Sequence, residues 1–308
     1  MGMRRLTWKH PENRCAIKVN QRVCETCGAT EFRLLFTRNA HHFFRCQSCR
    51  LVRIHPQPTD EVLSAIYSGS YFEAWGGQTA SESVLQLKKD TFRKLVINAV
   101  LLKPGARVLD CGAAFGALME AAAEAGLEPY GIELVADAAA VIGRRFGAGR
   151  VFSGPFEQAV FPALAGEAFD CVYMCDFIEH VRDPLSVLRK ASTLLKQGGW
   201  LVLTTPDTNT LSCRIMGAGW PHYNVEHLYC FNLRNLTALL ARAGFTLRCS
   251  RNARKVVTLQ YLCYHLNARP RPFVTPALNF IARCAGQRLR QWQASLPLGQ
   301  MLLAATKD

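Results

Sequence analysis

The chain has 308 residues, 49% of them hydrophobic, and a formal net charge of +14. This length allows a substantial core, and the lack of an 18-residue apolar run or an apolar N-terminus argues against a membrane span and a signal peptide. Residues 1–56 and 250–308 each carry a net charge of +8, while residues 57–249 carry −2. We therefore expect a nearly neutral central unit between two basic ends.

The first basic end contains two pairs of cysteines at the spacing of zinc-binding knuckles. Cys24 and Cys27 form one CxxC motif and Cys46 and Cys49 form the other, with 18 residues between the pairs. Four thiolates so placed predict tetrahedral structural zinc, and the alternating apolar residues of segment 30–45 predict a β-hairpin. A redox pair is the alternative. The nine other cysteines show no pairing pattern, which favours reduced thiols and a cytoplasmic location.

Composition and the positions of the prolines divide this N-terminal part into three segments. We predict a basic tail at residues 1–20, a zinc ribbon at 21–56 and a helical connector at 57–98. Pro56 and Pro58 indicate a linker, and the acidic pair Asp60-Glu61 indicates that a helix begins directly after it.

The turn at 108–116 is the most informative segment of the chain. An apolar run ends at Asp110, and small residues then lead into a helical pattern, which predicts the strand–turn–helix unit that holds nucleotide-like cofactors. Only Gly112 and Gly116 of a GxGxxG motif are present, and no phosphate-binding lysine follows. A carboxylate before the turn would repel a pyrophosphate but suits S-adenosylmethionine, which is positively charged. An ordinary βα turn is the alternative. Alanine at position 114 costs little if its φ is negative.

Further strands alternate with helical segments and predict a parallel sheet with helices on both faces. Glu133 ends the second strand, 23 positions after Asp110, where an acid accepts hydrogen bonds from ribose hydroxyls. A buried strand at 169–175 runs to Asp176, and a further strand is expected at 201–206. Ligands bind at the carboxyl ends of such strands, so the three acids should meet at one edge.

Three histidines near that edge are candidates for acid–base chemistry. His227 is the first candidate for a general base or for positioning the acceptor, since imidazole titrates near neutrality. A structural role, tying its loop to the core, is an equally weighted alternative. His180 and His222 are the further candidates.

Taken together, these motifs resemble the class I S-adenosylmethionine-dependent methyltransferases, in the branch related to ubiquinone-type and natural-product methyltransferases. The resemblance covers roughly residues 85–250. It rests on Val-Leu-Asp-Cys-Gly at 108–112, the acid Glu133, Phe-Asp-Cys-Val-Tyr at 169–173, Asp-Phe-Ile-Glu-His-Val at 176–181, Gly-Gly at 198–199 and a segment at 220–231 that ends in His-Leu-x-x-Phe. The usual turn of the family is Asp-x-Gly-x-Gly-x-Gly, and here Ala114 replaces the middle glycine.

This resemblance implies a Rossmann-like α/β fold with a seven-stranded sheet, whose last strand is antiparallel and would come from residues 299–306. The methyltransferase domain would span residues 99–308, with a helical insertion at 255–296 as a lid over the acceptor pocket. The implied cofactor-binding residues are Asp110, Gly112, Ala114, Gly116, Glu133, Phe156, Cys175, Asp176 and, on the connector that would cover the cofactor, Tyr71.

We therefore expect an enzyme that moves a methyl group from S-adenosylmethionine to a small molecule, most readily at a hydroxyl oxygen. An acidic, nucleotide-linked or carrier-linked acceptor would suit the basic ends. One alternative is an RNA base methyltransferase that holds RNA with the ribbon and the basic ends. The other is a non-catalytic scaffold. An apolar helical stripe at 277–292 fits packing on its own domain as well as it fits a membrane surface.

Overall fold

The computed structural model describes residues 23–38, 40–67, 82–162, 164, 168–268, 274–286, 289 and 292–308. Within these residues the strands form two sheets, one of four strands and one of seven. Tyr71 and the predicted basic tail lie outside the described residues.

The smaller sheet belongs mainly to the predicted ribbon. Strands β1 (Phe32–Arg38), β2 (His41–Cys46) and β3 (Val52–His55) pair antiparallel in chain order. The fourth strand, β9 (Tyr229–Cys230), comes from far along the chain and pairs with β3. The ribbon is therefore completed by the part of the chain that follows the large sheet.

The larger sheet has the strand order β10-β11-β8-β7-β4-β5-β6. Strands β4 to β8 run parallel, and β11 lies antiparallel between β8 and β10. The predicted seven-stranded Rossmann-like sheet with one antiparallel strand is confirmed. Its strands are β4 (Arg107–Cys111), β5 (Glu128–Glu133), β6 (Val151–Ser153), β7 (Phe169–Cys175), β8 (Leu195–Pro206), β10 (Phe245–Val257) and β11 (Ala294–Lys307).

Helices cover the sheet, and local sequence determines where several of them begin. The helix α5 starts where the Asp183 side chain accepts a hydrogen bond from the N–H of Ser186, and Asn232 and Asn235 form a reciprocal capping box at α7. The helices are α1 (Asp60–Tyr67), α2 (Glu82–Thr91), α3 (Ala117–Glu124), α4 (Ala136–Phe146), α5 (Pro184–Leu194), α6 (Leu211–Met216), α7 (Leu233–Arg242), α8 (Leu259–Ala268) and α9 (Val274–Cys284). No helix among the described residues is long and apolar enough to cross a membrane.

The predicted helical insertion at 255–296 is wrong at both ends. Strand β10 continues to Val257, and β11 already begins at Ala294. The two strands extend this far because Val257 still pairs with Ala294. Among the described residues between these strands lie the helices α8 and α9. The predicted apolar stripe at 277–292 is also interrupted, because α9 ends at Cys284. Two members of the stripe, Ile281 and Trp292, are exposed.

One buried cluster joins the ribbon to the large domain. It contains Cys46 and Leu51 of the ribbon together with Leu228, Phe231 and Leu236, all less than 1% exposed. The two sheets therefore share a core, and the carboxyl edge of the large sheet lies beside the loop that contributes β9.

Candidate active site

The turn after β4 uses the left-handed backbone region at three positions. Gly112 has φ 77°, Gly116 has φ 82° and Ala114 has φ 48°. The φ at Ala114 is therefore positive, which is the costly case for alanine because a Cβ disfavours this conformation. A hydrogen bond accompanies it, because the Ala114 N–H donates to Oε2 of Glu133 at 2.7 Å.

Glu133 stands at the end of β5, beside the turn. Its Oε1 accepts the N–H of Val135 at 2.9 Å, and only 6% of the residue is exposed. Burial raises the pKa of Glu133, although the backbone hydrogen bonds oppose this shift. Each carboxylate oxygen can accept more than one hydrogen bond, so hydroxyl donors of a ligand can still bind here.

Asp110 is the penultimate residue of the neighbouring strand β4 and is 4% exposed. Burial and the nearby charge of Glu133 raise its pKa to about 8. Two buried acids so close together suit a ligand that brings positive charge and hydroxyl donors. S-adenosylmethionine has both, so the residues present fit this cofactor. The fit includes the bare backbone at Gly112, where a Cβ would come within 3.0 Å of the Phe177 ring.

Two other predicted residues lie at the same edge. Phe156 is buried on a short 3-10 helix after β6, and its ring packs against Phe177 at 5.8 Å between centroids. Cys175 is the last residue of β7, and burial raises the pKa of its thiol. Phe177 thus connects Phe156 with the turn at Gly112.

Asp176 directs its carboxylate towards the antiparallel side of the sheet. It accepts hydrogen bonds from Nε2 of Gln300 at 2.6 Å and from Nζ of Lys255 at 3.0 Å. Burial alone would raise the pKa of Asp176, but the charge and hydrogen bond of Lys255 bring it below its ordinary value. The structure therefore groups Asp110 and Glu133, and it pairs Asp176 with β10 and β11 instead.

The three predicted histidines lie together at this edge. The rings of His180 and His227 meet perpendicularly at 4.7 Å, and the rings of His222 and His227 stack at 6.3 Å. The His222 carbonyl lies 2.7 Å from Nδ1 of His227. Because a carbonyl only accepts, we assign the proton of His227 to Nδ1, which leaves the lone pair on Nε2.

A buried glutamate completes the histidine cluster. Glu179 is fully buried, and neither of its carboxylate oxygens has a hydrogen-bond partner among the described residues. Burial raises the pKa of Glu179 to about 8, lowers that of His180 to about 4 and lowers that of His227 well below its ordinary value. Both imidazoles are thus neutral at pH 7. The ligand atoms of these three residues lie within 4.8 Å of one another, close enough to hold a metal ion.

Sequence reasoning missed several residues at the site, among them Tyr67, Lys88, Lys255 and Gln300. The Tyr67 hydroxyl lies 2.9 Å from Nδ1 of His180, so α1 covers the histidine cluster. Lys255 was expected in the helical lid, and Lys88 carried no motif. Burial and the charge of Lys255 lower the pKa of Lys88 to about 8. No motif in the sequence marks either lysine, because each is brought near Asp176 only when the chain folds.

The four knuckle cysteines converge as predicted. The Sγ atoms of Cys24 and Cys49 are 3.6 Å apart, as are those of Cys27 and Cys46. All four lie within 4.8 Å of one another. Tetrahedral zinc with Zn–S bonds of about 2.3 Å requires S–S separations of about 3.8 Å, so the cluster fits the ion.

Comparisons with known proteins agree with this geometry. A family model described as a methyltransferase domain matches residues 86–250. A ubiquinone biosynthesis O-methyltransferase of Bordetella avium (strain 197N) is 37% identical over 111 residues, which are 35% of this chain and 46% of that protein. The chain thus spans about half the length of the curated relatives it matches.

Solved structures show the same fold. A methyltransferase of Thermotoga maritima, described as a possible histamine N-methyltransferase, is 20% identical with a TM-score of 0.50 and covers 81% of this chain and 100% of its own. The cyclase SpnF is 19% identical with a TM-score of 0.52 and covers 82% of this chain and 98% of its own. At these identities the likeness concerns the fold alone. The family model matches more than half of the 308 residues and includes the turn, Glu133 and the histidine cluster, and the chain therefore belongs to the class I S-adenosylmethionine-dependent methyltransferases.

Proposed function

We propose that this protein transfers the methyl group of S-adenosylmethionine to a hydroxyl oxygen of a small molecule. The carboxylate of Glu133 would accept hydrogen bonds from the ribose hydroxyls, and the small residues of the turn would let the backbone approach the cofactor. Asp110 would offer negative charge to its cationic end. When bound, the cofactor supplies a methyl carbon already activated by sulfonium.

The protein itself must align the acceptor, exclude water and remove the proton of the acceptor hydroxyl. The main support for the proposal is His227, because its Nδ1 donates to the His222 carbonyl while its Nε2 keeps a lone pair. Its ring is neutral at pH 7 and only 9% exposed. Nε2 is therefore the atom that we assign to accept the hydroxyl proton. The curated relatives are ubiquinone biosynthesis O-methyltransferases, which supports an oxygen acceptor and a small molecule.

Replacing His227 by glutamine tests this assignment. In His227→Gln, conversion of S-adenosylmethionine to S-adenosylhomocysteine with a panel of small hydroxyl-bearing acceptors should fall by roughly 100-fold or more, the scale of general base catalysis. The affinity for S-adenosylmethionine, measured by calorimetry, should stay within about 2-fold because the substitution does not touch the turn. His41→Gln, in the ribbon strand β2, is the matched control and should behave as the wild type.

Three outcomes would contradict the proposal. Unchanged turnover in His227→Gln would remove this residue from the mechanism. Turnover that is lost with EDTA and restored by Fe²⁺ or Mn²⁺ but not by Zn²⁺ would assign His227, with Glu179 and His180, to metal ligation instead of proton transfer. A wild-type protein that does not bind S-adenosylmethionine would favour a non-catalytic scaffold.

We also propose that the four knuckle cysteines hold structural zinc. Their spacing and convergence support this, and four thiolates leave no open position for catalysis. Metal analysis of the purified protein should find about one zinc per chain. Cys27→Ser should lose it, whereas Cys249→Ser, an exposed cysteine on β10, should retain it. A wild-type protein without zinc would refute the assignment.

A further inference from the structure

A cavity of about 760 Å³ lies between the ribbon and the methyltransferase domain. Phe36, Arg45 and Arg50 line it from the ribbon side, and Arg214 and Tyr223 line it from the other. None of the residues that line it is acidic. Its size is that of a small-molecule site and far exceeds the needs of a single water or ion.

Three arginines bring positive charge to this cavity. No described carboxylate forms an ion pair with any of them. Arg45 and Arg50 lie close enough for their like charges to repel. Asp207 interacts with the charge of Arg214 without forming an ion pair, and its Oδ1 accepts the Asn209 N–H at 2.8 Å. Guanidinium groups that line a cavity without ion-pair partners favour an anionic ligand.

The backbone at Arg50 supports a role for its side chain. Gly28 follows the first knuckle with φ 76°, and Arg50 follows the second with φ 65°. The two knuckles thus need the same left-handed turn, which glycine adopts freely and arginine does not. The turn does not explain an arginine here, whereas a cavity that uses its guanidinium does.

The aromatic residues that line the cavity are held in place. The rings of Phe36 and Tyr223 lie 5.0 Å apart between centroids. The Arg38 guanidinium donates to the Tyr223 carbonyl at 2.6 Å and also to the Ala218 carbonyl. These hydrogen bonds join β1 to the loop at 218–223, so the aromatic wall exists before any ligand binds.

We propose that this cavity binds a small molecule with a phosphate group, whose anionic part contacts Arg45, Arg50 and Arg214 and whose apolar part packs on Phe36 and Tyr223. The site borders the histidine cluster, because Tyr223 directly follows His222 in the same loop. Binding of the anion requires neither the cofactor nor methyl transfer. The proposal is therefore independent of the reaction assigned to His227.

Calorimetry on the full chain at low ionic strength tests the site with inorganic phosphate and phenyl phosphate. Both should bind, with affinity that falls as salt is added, and phenyl phosphate should bind more tightly because its ring adds contacts with the aromatic wall. Arg50→Gln and Arg214→Gln should each weaken binding by roughly 10-fold, the scale of a lost hydrogen bond to a charged group. Both side chains are exposed, so the fold should be retained.

Arg144→Gln is the matched control, since Arg144 is an exposed arginine on α4 outside the cavity. It should leave both affinities within about 2-fold of the wild type. No binding of either probe to the wild type, or an equal loss in Arg144→Gln, would overturn the proposal. Equal affinities for the two probes would remove Phe36 and Tyr223 from the site. Because no cofactor is present, failure here leaves the methyl-transfer proposal standing, and the reverse also holds.

Discussion

At the residue scale, the pair of Asp110 and Glu133 determines how the site responds to charge. Burial, together with the nearby Glu133, raises the pKa of Asp110 to about 8, so this carboxyl is mostly protonated in the free protein at neutral pH. A cationic ligand favours the ionised form, so binding should drive a proton off this carboxyl. The cofactor therefore has to compete with a proton.

This competition makes cofactor affinity depend on pH. Calorimetry between pH 6 and pH 7.5 should show S-adenosylmethionine binding more tightly as pH rises, by roughly 10-fold at most per pH unit. The amino group of the cofactor loses charge near pH 8, which would weaken binding, so it cannot cause this increase. Asp110→Asn should abolish the dependence, whereas Asp137→Asn, an exposed acid on α4, should preserve it. A pH-independent affinity in the wild type would contradict the raised pKa.

The sequence predicted those residues whose role follows from neighbours in the chain. Asp110 and Glu133 each lie at or next to the last residue of a strand, and their roles follow from the motif around them. The partners of Asp176 were not predicted, because Lys255 and Gln300 reach it from strands 79 and 124 positions away. Such contacts depend on the order of strands in the sheet, which no local pattern encodes.

At the scale of elements, the turn between β4 and α3 contains a residue that its backbone disfavours. Ala114 adopts φ 48°, and its N–H is held by Glu133. The sequence could identify the turn but not this φ, since the angle is associated with a hydrogen bond to another strand. The family's usual glycine at this position would accommodate it without strain.

Ala114→Gly should therefore stabilise the protein. A left-handed conformation costs a residue with a Cβ about 1–2 kcal/mol, and glycine forfeits about 0.5–1 kcal/mol through its greater freedom in the unfolded chain. The free energy of unfolding in urea should rise by about 0.5–1 kcal/mol. Ala113→Gly, in the same turn but without a positive φ, should lower it. A destabilised Ala114→Gly would show that the methyl group contributes packing that outweighs the strain.

Strand lengths were the weakest sequence prediction. Strand β9 has only two residues, too few for any alternating pattern, yet it joins the ribbon to the loop of His227. Strands β10 and β11 extend into the segment that was predicted as the helical insertion. They do so because they pair with each other beyond the point where β11 pairs with β8. Pairing across the sheet, which periodicity does not reveal, decides both cases.

At the scale of the whole molecule, the ribbon behaves as part of the methyltransferase domain. Leu51 shares a buried cluster with Leu228 and Leu236, and the side-chain amides of Asn232 and Asn235 donate to the Cys49 carbonyl at 3.3 and 3.4 Å. The fold class could be predicted because each unit has its own motif. The shared core could not, since it joins residues far apart in the chain.

This continuity predicts that removing the proposed zinc weakens the whole chain. A strong chelator under reducing conditions should release the knuckles, and the urea midpoint of the helical far-UV circular dichroism should fall. The free energy of unfolding should drop by about 2–3 kcal/mol, the scale of exposing one buried leucine. Added Zn²⁺, but not Mg²⁺, should restore the midpoint. The helices belong mainly to the methyltransferase domain, so an unchanged midpoint after metal analysis has shown that zinc is gone would mean that the ribbon folds separately.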